Sequence, residues 1–483
     1  MNGRVALTSL PFIVLATATA AAANGYLPPT LPNWQATYNM TLSSLTMQCN
    51  GTGWSSPQRG AEFGIVSYDW SNFKSGVDGW AAAQPMNSEE RLFHQASLMK
   101  EESPSTKVFL YRNLVWAMPW FKSVREKLDD PSYAGFFLHF DKNKYAEWHK
   151  SHPHGESGIS ANDTAPFHVS PCAAENSHKC SIFYHDQNQS PGVPNIDPHP
   201  DGKCDPNKGC NCGSQPCGGY VWDHRNGSML RNFLVDEFIG NALAHPTVDG
   251  FFLDDYWCSD QICRESNNTV AGCPCGDPAQ GPTEIVKTSI TDMGLSDADV
   301  KDVTLAWNVT MEAVQRKILK NDGYTWTLME GQQNANAAPL LVSKTTCVEK
   351  LRSACPVASS TPSSFQTRAN LFGVTLPGKN GTFPQLMQDV AFFLIARGPF
   401  AWIGYGTWGM TWPFNPEPAH GELPPQPHGL PKPLLLDHDF GEPLGICSET
   451  AAGSAIFQRH WSKAGTIELN CNDFTALLGS EMK

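Results

Sequence analysis

Val248-Asp249-Gly250-Phe251-Phe252-Leu253-Asp254-Asp255 is an apolar run that ends on two carboxylates. Almost continuous apolar runs of this length are strands buried on both faces, as in parallel sheets covered by helices. The same form recurs outward from it. Runs 63–69 and 107–113 end on Asp69 and on Arg112-Asn113, run 219–223 ends on Asp223, and run 324–330 ends on Glu330. Helical stretches fall between them at 88–102, 228–244 and 296–320, the first with Glu89 and Glu90 where the helix dipole favours acids. A strand at 371–375, a helix at 383–396 and a strand at 400–404 extend the alternation more faintly. Repeated strand–helix units specify a parallel α/β sheet. Polar residues gathered where strands end, over 483 residues, favour a closed (β/α)8 TIM barrel over an open doubly wound sheet. No Gly-rich phosphate loop follows any of the strands, which argues against a nucleotide-binding sheet.

The expected organisation is a signal peptide at 1–23, a lead-in at 24–62, the barrel at 63–440 and a short C-terminal β element at 441–483. The first 23 residues carry Arg4, then an apolar core and an alanine-rich end, the order of a secretory signal. No later run of about 18 apolar residues would anchor the chain in a membrane. Fifteen cysteines, clustered in the irregular insertion 133–219 and at 258–275, read as disulfide-rich loops of an oxidising compartment. Their odd number leaves at least one thiol unpaired within the chain. Acceptor patterns for N-glycosylation at Asn39, Asn50, Asn162, Asn188, Asn226, Asn267, Asn308 and Asn380 agree with a secreted, extracellular glycoprotein. A net charge of −13 speaks against nucleic acid or an anionic membrane as partner. The terminal β element is expected from two short strands, 455–459 and 466–469.

In such barrels the chemistry sits where strands reach their carboxyl ends. That rule selects Asp69, Arg112, Asn113, Asp223, Asp254, Asp255 and Glu330. Hydrolysis of a glycosidic bond uses two carboxyl groups: one protonates the leaving oxygen, the other attacks the anomeric carbon or activates water. Asp254 and Glu330 end neighbouring strands and are the candidate catalytic pair. Strand alternation puts Phe252 and Asp254 on one face and Leu253 and Asp255 on the other. Asp255 is then a substrate ligand together with Asp69, Arg112, Asn113, Asp223, Tyr256 and Trp257. A strand-end aspartate can instead be only a helix cap, and a register slip of one residue would exchange Asp254 with Asp255. Tyr405 and Trp408, in the aromatic stretch 400–408, are either barrel core or sugar-stacking rings.

The segment 249–255, Asp-Gly followed by three apolar residues and Asp, resembles that of TIM-barrel glycoside hydrolases of the alpha-glucosidase and alpha-amylase groups and less characterised families near them. The resemblance implies that Asp254 is the nucleophile, that Glu330 is the general acid/base, and that the mechanism is retaining. Trp222-Asp223-His224-Arg225-Asn226 is similar to the segment preceding that strand in related hydrolases. Phe252 stands where the alpha-amylase group has arginine, a departure that bears on the substrate rather than on the reaction class.

The expected activity is therefore cleavage of O-glycosidic bonds in a poly- or oligosaccharide by a secreted monomer, without metal or other cofactor. Two alternatives stand beside it: a carbohydrate-binding barrel without catalysis, and a secreted metal-dependent hydrolase. The cysteine spacings are not those of structural zinc sites, and Asp197, Asp201 and Asp205 form only a loose cluster of loop acids.

Overall fold

The computed structural model describes residues 31–48, 53–54, 56–73, 78–80, 83, 85–128, 130–141, 167–172, 179–184, 219–254, 296–327, 340–355, 369–375, 383–405 and 432–479. Its centre is a seven-stranded parallel sheet. The strands are β1 (Ser44–Gln48), β2 (Ile65–Tyr68), β3 (Lys107–Asn113), β4 (Gly250–Asp254), β5 (Tyr324–Thr327), β6 (Asn370–Val374) and β7 (Ala401–Tyr405). They lie in the order β5-β4-β3-β2-β1-β7-β6, so the first strand pairs with the last. Leu340 adds a parallel bridge to Phe372 on the far side of β6.

The sheet curls. Paired positions in a parallel sheet share a face, so Phe109 of β3, Tyr324 of β5 and Trp402 of β7 belong to one inner face. The Trp34 ring lies 6.0, 5.8 and 5.9 Å from those three rings. Tyr324, on an edge strand, is also 6.1 Å from Trp402. Only a strongly curled sheet brings these strands within reach of one indole. Trp34 is fixed by its own Nε1 donating to the Asp322 carbonyl at 2.9 Å, and it plugs the end of the sheet where the strands begin.

The Asp-Gly that opens β4 has a structural cause. Asp249 accepts from the Val108 amide (2.8 Å) and pairs with Lys100 (2.6 Å) and Lys107 (3.1 Å), tying β4 to β3 and its helix. At Gly250 a Cβ would stand 2.1 Å from the Tyr324 carbonyl oxygen and 2.7 Å from the Phe109 ring, so only glycine fits without moving the backbone of β5. The helix α1 (Ser88–Glu102) covers the outer face near β3. The helix Leu386–Ala396 is buried from Asp389 to Ala396 because it is held between β6 and the C-terminal sheet. That sheet is antiparallel, with strands Ser448–Glu449, Ile456–Trp461, Gly465–Asn470 and Thr475–Leu478. Disulfides Cys347–Cys471 and Cys355–Cys447 bind it to the helix Cys347–Ala354.

Two expectations are corrected. The main sheet does not begin at residue 63: β1 lies inside the expected lead-in, and its Ser-Leu-Thr-Met-Gln composition hid it because Ser and Thr interrupt the apolar run. Gly219–Val221 is not one of the parallel strands. It pairs antiparallel with Trp116–Ala117 and with Lys179–Tyr184 in a separate sheet that also holds Phe167–Cys172 and His139–Asp141. Of the cysteines expected to pair in the loops 133–219 and 258–275, only the backbone of Cys172 and Cys180 is described, the others lying outside the described residues. The two described pairs join later cysteines.

Candidate active site

The inner face of β3 and β4 turns polar at its last positions. The pairs Tyr111↔Phe252 and Asn113↔Asp254 put four side chains on one face, Tyr111 and Phe252 in ring contact at 5.7 Å. The Tyr111 hydroxyl donates to Asp254 Oδ2 at 2.8 Å. The Asn113 amide nitrogen donates to the same hydroxyl at 3.0 Å. Asn113 Oδ1 in turn accepts from the Val115 and Trp116 amides at 2.8 and 2.7 Å. Tyr111 and Asn113 are buried, whereas Asp254 at the strand end is partly exposed. A carboxylate is thus presented at the open end of the sheet and gripped from the closed side.

Asp69 follows β2 directly and is 7% exposed. Its Oδ1 accepts from the Ser71 amide (2.9 Å) and hydroxyl (2.6 Å), while its own amide donates to Asn72 Oδ1 (3.0 Å). Burial pushes its carboxyl up from 3.8 to about 7, the Ser71 hydrogen bonds oppose this, and the Asp254 charge adds to the push. Two acids, one buried and one at a strand end, therefore feel each other across the inner face. Burial, more than the neighbouring charge, makes Asp69 an acid that keeps its proton to near neutral pH.

The structure brings together Asp69, Asn113 and Asp254 of the expected site. It does not bring Arg112 there. Alternation turns Arg112 outward, where it pairs with Glu89 at 2.9 Å and lies among the Phe93, Phe121, Phe238 and Phe251 rings. Asp223 caps the turn His224–Asn226 and pairs with Arg225 at 2.8 Å, which reaches Asp299 at 2.7 Å. The segment around it supports the site from behind: Trp222 Nε1 donates to the Asn113 carbonyl (3.4 Å), and His224 Nε2 meets the Leu114 carbonyl (2.6 Å). Glu330, Asp255, Tyr256, Trp257 and Trp408 lie outside the described residues, and of Tyr405 only the backbone, at the end of β7, is described. Tyr111 is not among the site residues expected from the sequence. The available signal was its spacing of two from Asn113, which puts both on the same face of the strand.

Among the described residues, no group of three or more His, Cys, Asp or Glu is placed to hold a metal ion. Among them also, no helix is long and apolar enough to cross a membrane.

No protein-family model and no curated protein matches the chain. Solved structures similar to it include a sucrose 6F-phosphate phosphorylase from Thermoanaerobacter thermosaccharolyticum, at 10% identity and TM-score 0.29 over 60% of this chain and 50% of that one. The trehalose-6-phosphate hydrolase TreA of Bacillus licheniformis aligns at 8% identity and TM-score 0.28, over 66% of this chain and 47% of its own. A debranching enzyme from Nostoc punctiforme aligns at 9% identity and TM-score 0.33, over 92% and 91% of the two chains. The chain thus spans about half the length of the first two. These neighbours are of the alpha-glucosidase and alpha-amylase kind that the residues around Asp254 resemble. At such distances they carry no argument about chemistry, which rests on the geometry above.

Proposed function

We propose that this chain is a secreted glycoside hydrolase that cleaves O-glycosidic bonds of a poly- or oligosaccharide with Asp254 as nucleophile. The observation that carries the reading is the carboxyl pair: Asp254, gripped by Tyr111 at the end of a central strand, faces the buried Asp69. Glycosidic cleavage needs one ionised and one protonated acid; burial holds Asp69 protonated to near neutral pH, and Tyr111 donates a hydrogen bond to Asp254. Glu330 follows the end of β5 by three residues and remains the candidate general acid/base. Asp69, protonated up to about pH 7, is a second source of the proton. The cyclic strand order and the Tyr324–Trp402 contact support closure into a (β/α)8 barrel. Asp255, Tyr256, Trp257, Tyr405 and Trp408 are candidates to hold the sugar. The two disulfides agree with an extracellular chain.

The test is hydrolysis of aryl glycosides and polysaccharides by wild type, Asp254→Asn, Glu330→Gln and Asp69→Asn. Loss in Asp254→Asn and in one of the other two, with folding intact, establishes the pair and names the acid. A wild type that binds a glycan but cleaves nothing, with all variants binding alike, would replace the hydrolase by a carbohydrate-binding barrel.

A further inference from the structure

The hydrogen bonds below Asp254 have a direction that chemistry fixes. Backbone N–H groups only donate, so the Asn113 side-chain atom facing the Val115 and Trp116 amides is its oxygen. The other end of that amide is then NH2, which also only donates, and it points at the Tyr111 hydroxyl. The hydroxyl accepts there, and its single proton is left for Asp254 Oδ2. No amide flip or hydroxyl rotation satisfies the four hydrogen bonds in reverse.

We propose that Asn113 and Tyr111 form a one-way relay that presents a fixed proton to Asp254 and so holds this carboxyl ionised and aimed. Both are positioning residues; neither reacts. The relay rests on the reading of Asp254 as nucleophile only for its catalytic consequence, since its direction follows from the backbone. A hydrogen bond to the charged form favours that form, so the relay lowers the proton affinity of Asp254. Among the described residues, the titratable groups on the inner face are Lys107 and Tyr111 from β3, Tyr324 from β5 and Asp69 from the turn after β2. Lys107 and Tyr324 lie against Trp34 at the end where the strands begin, away from Asp254. Asp69 acts in the opposite sense when it ionises, and while Asp254 holds the negative charge, Asp69 is the partner that keeps the proton. The relay thus acts in the same sense as the burial of Asp69, which is the main reason that this acid keeps its proton.

The relay is read without a substrate by infrared titration of the full chain, the Asp254 band being the carboxyl signal missing from Asp254→Asn and distinct from that missing in Asp69→Asn. In Tyr111→Phe the midpoint of that band should rise by about one pH unit. Asn113→Asp keeps both amides satisfied and offers Tyr111 a competing acceptor. It should raise the midpoint more in the Tyr111 chain than in the Tyr111→Phe background, where only its charge acts. Global 3-fluorotyrosine, a stronger phenol donor that adds one small atom to each ring, should lower the midpoint and serves if Tyr111→Phe fails to fold. A midpoint that stays put in Tyr111→Phe or with fluorotyrosine overturns the relay. So does an Asn113→Asp shift of equal size in both backgrounds. Aryl glycoside hydrolysis is followed in parallel: the shift without hydrolysis keeps the relay and removes the hydrolase, and hydrolysis without the shift does the reverse.

Discussion

Glu89 and Asp69 are buried to the same degree, 7% exposed each, on opposite faces of the same sheet. Glu89 on the outer face meets the Arg112 guanidinium at 2.9 Å and accepts from the Ser123 amide and hydroxyl at 2.9 and 3.0 Å. Asp69 on the inner face accepts from Ser71, but the charge across from it is another acid, Asp254. A buried acid opposite a cation joins helix to strand. A buried acid opposite an acid costs stability and persists only where the surrounding fold holds it. Residues 111–113 carry both sides of the contrast within three positions, with Arg112 serving the scaffold and Tyr111 and Asn113 the carboxyl pair.

The largest effects separate the two faces. Asp254→Asn should lower kcat/KM about 1000-fold or more, roughly 4 kcal/mol of barrier, with little change in melting temperature. Arg112→Met should do the opposite. It leaves Glu89 buried without its cation, costing about 3–5 kcal/mol of stability in urea unfolding, while kcat per folded molecule is retained. If Arg112→Met abolished turnover in a fully folded chain, the outward assignment of Arg112 would fail.

The next effect sharpens the contrast through pH. The folded chain binds the Asp69 proton up to about pH 7, the unfolded chain only to near 3.8. Between those values the folded state holds more protons, so this contribution is fully present below about pH 4 and is lost as pH rises through 7. Asp69→Asn removes the loss. The variant should match wild type in urea at pH 4 and exceed it at pH 8 by on the order of 2–4 kcal/mol. Equal stabilities at both pH values would mean that Asp69 titrates as an ordinary surface acid. Glu89→Gln should show no such gain at pH 8, because its carboxylate is already matched by Arg112.

Much of this architecture is legible in the amino-acid sequence. β2 to β7 and the carboxylate-bearing end of β4 follow from apolar runs and their polar termini, and the strand-end rule selects Asp69, Asn113 and Asp254. The rule misassigns Arg112 for a physical reason: at a strand end, alternation decides the face, and Arg112 is one residue out of step with Asn113. Tyr111 escapes because aromatic residues in a strand read as core, and its hydroxyl matters only through Asp254, 143 positions later. β1 escapes because its apolar run is broken by Ser44 and Thr46, and its partners lie as far away as Ile403. The 133–219 region conceals antiparallel strands because Pro, His and Cys break their alternation.

The smallest effect concerns Asp223, the strand-end acid that sits on neither side of the contrast. Its carboxylate caps the Arg225 amide at 3.1 Å and binds the Arg225 guanidinium through both oxygens, at 2.9 and 2.8 Å. Arg225 carries the link on to Asp299 at the start of the helix Asp297–Lys320. This is a partly exposed cap and ion pair, the kind of contact whose loss costs about 1 kcal/mol. Asp223→Ala should therefore lower stability by about that amount and less at high salt, where the ionic part is screened. Turnover should stay within about twofold, since a change of about 1.4 kcal/mol in barrier is needed for tenfold. A loss of turnover beyond tenfold with stability intact would move Asp223 into the substrate site, where the strand-end rule first put it. The wall formed by Trp222 and His224 behind Asn113 would then extend into the cleft instead of merely supporting it.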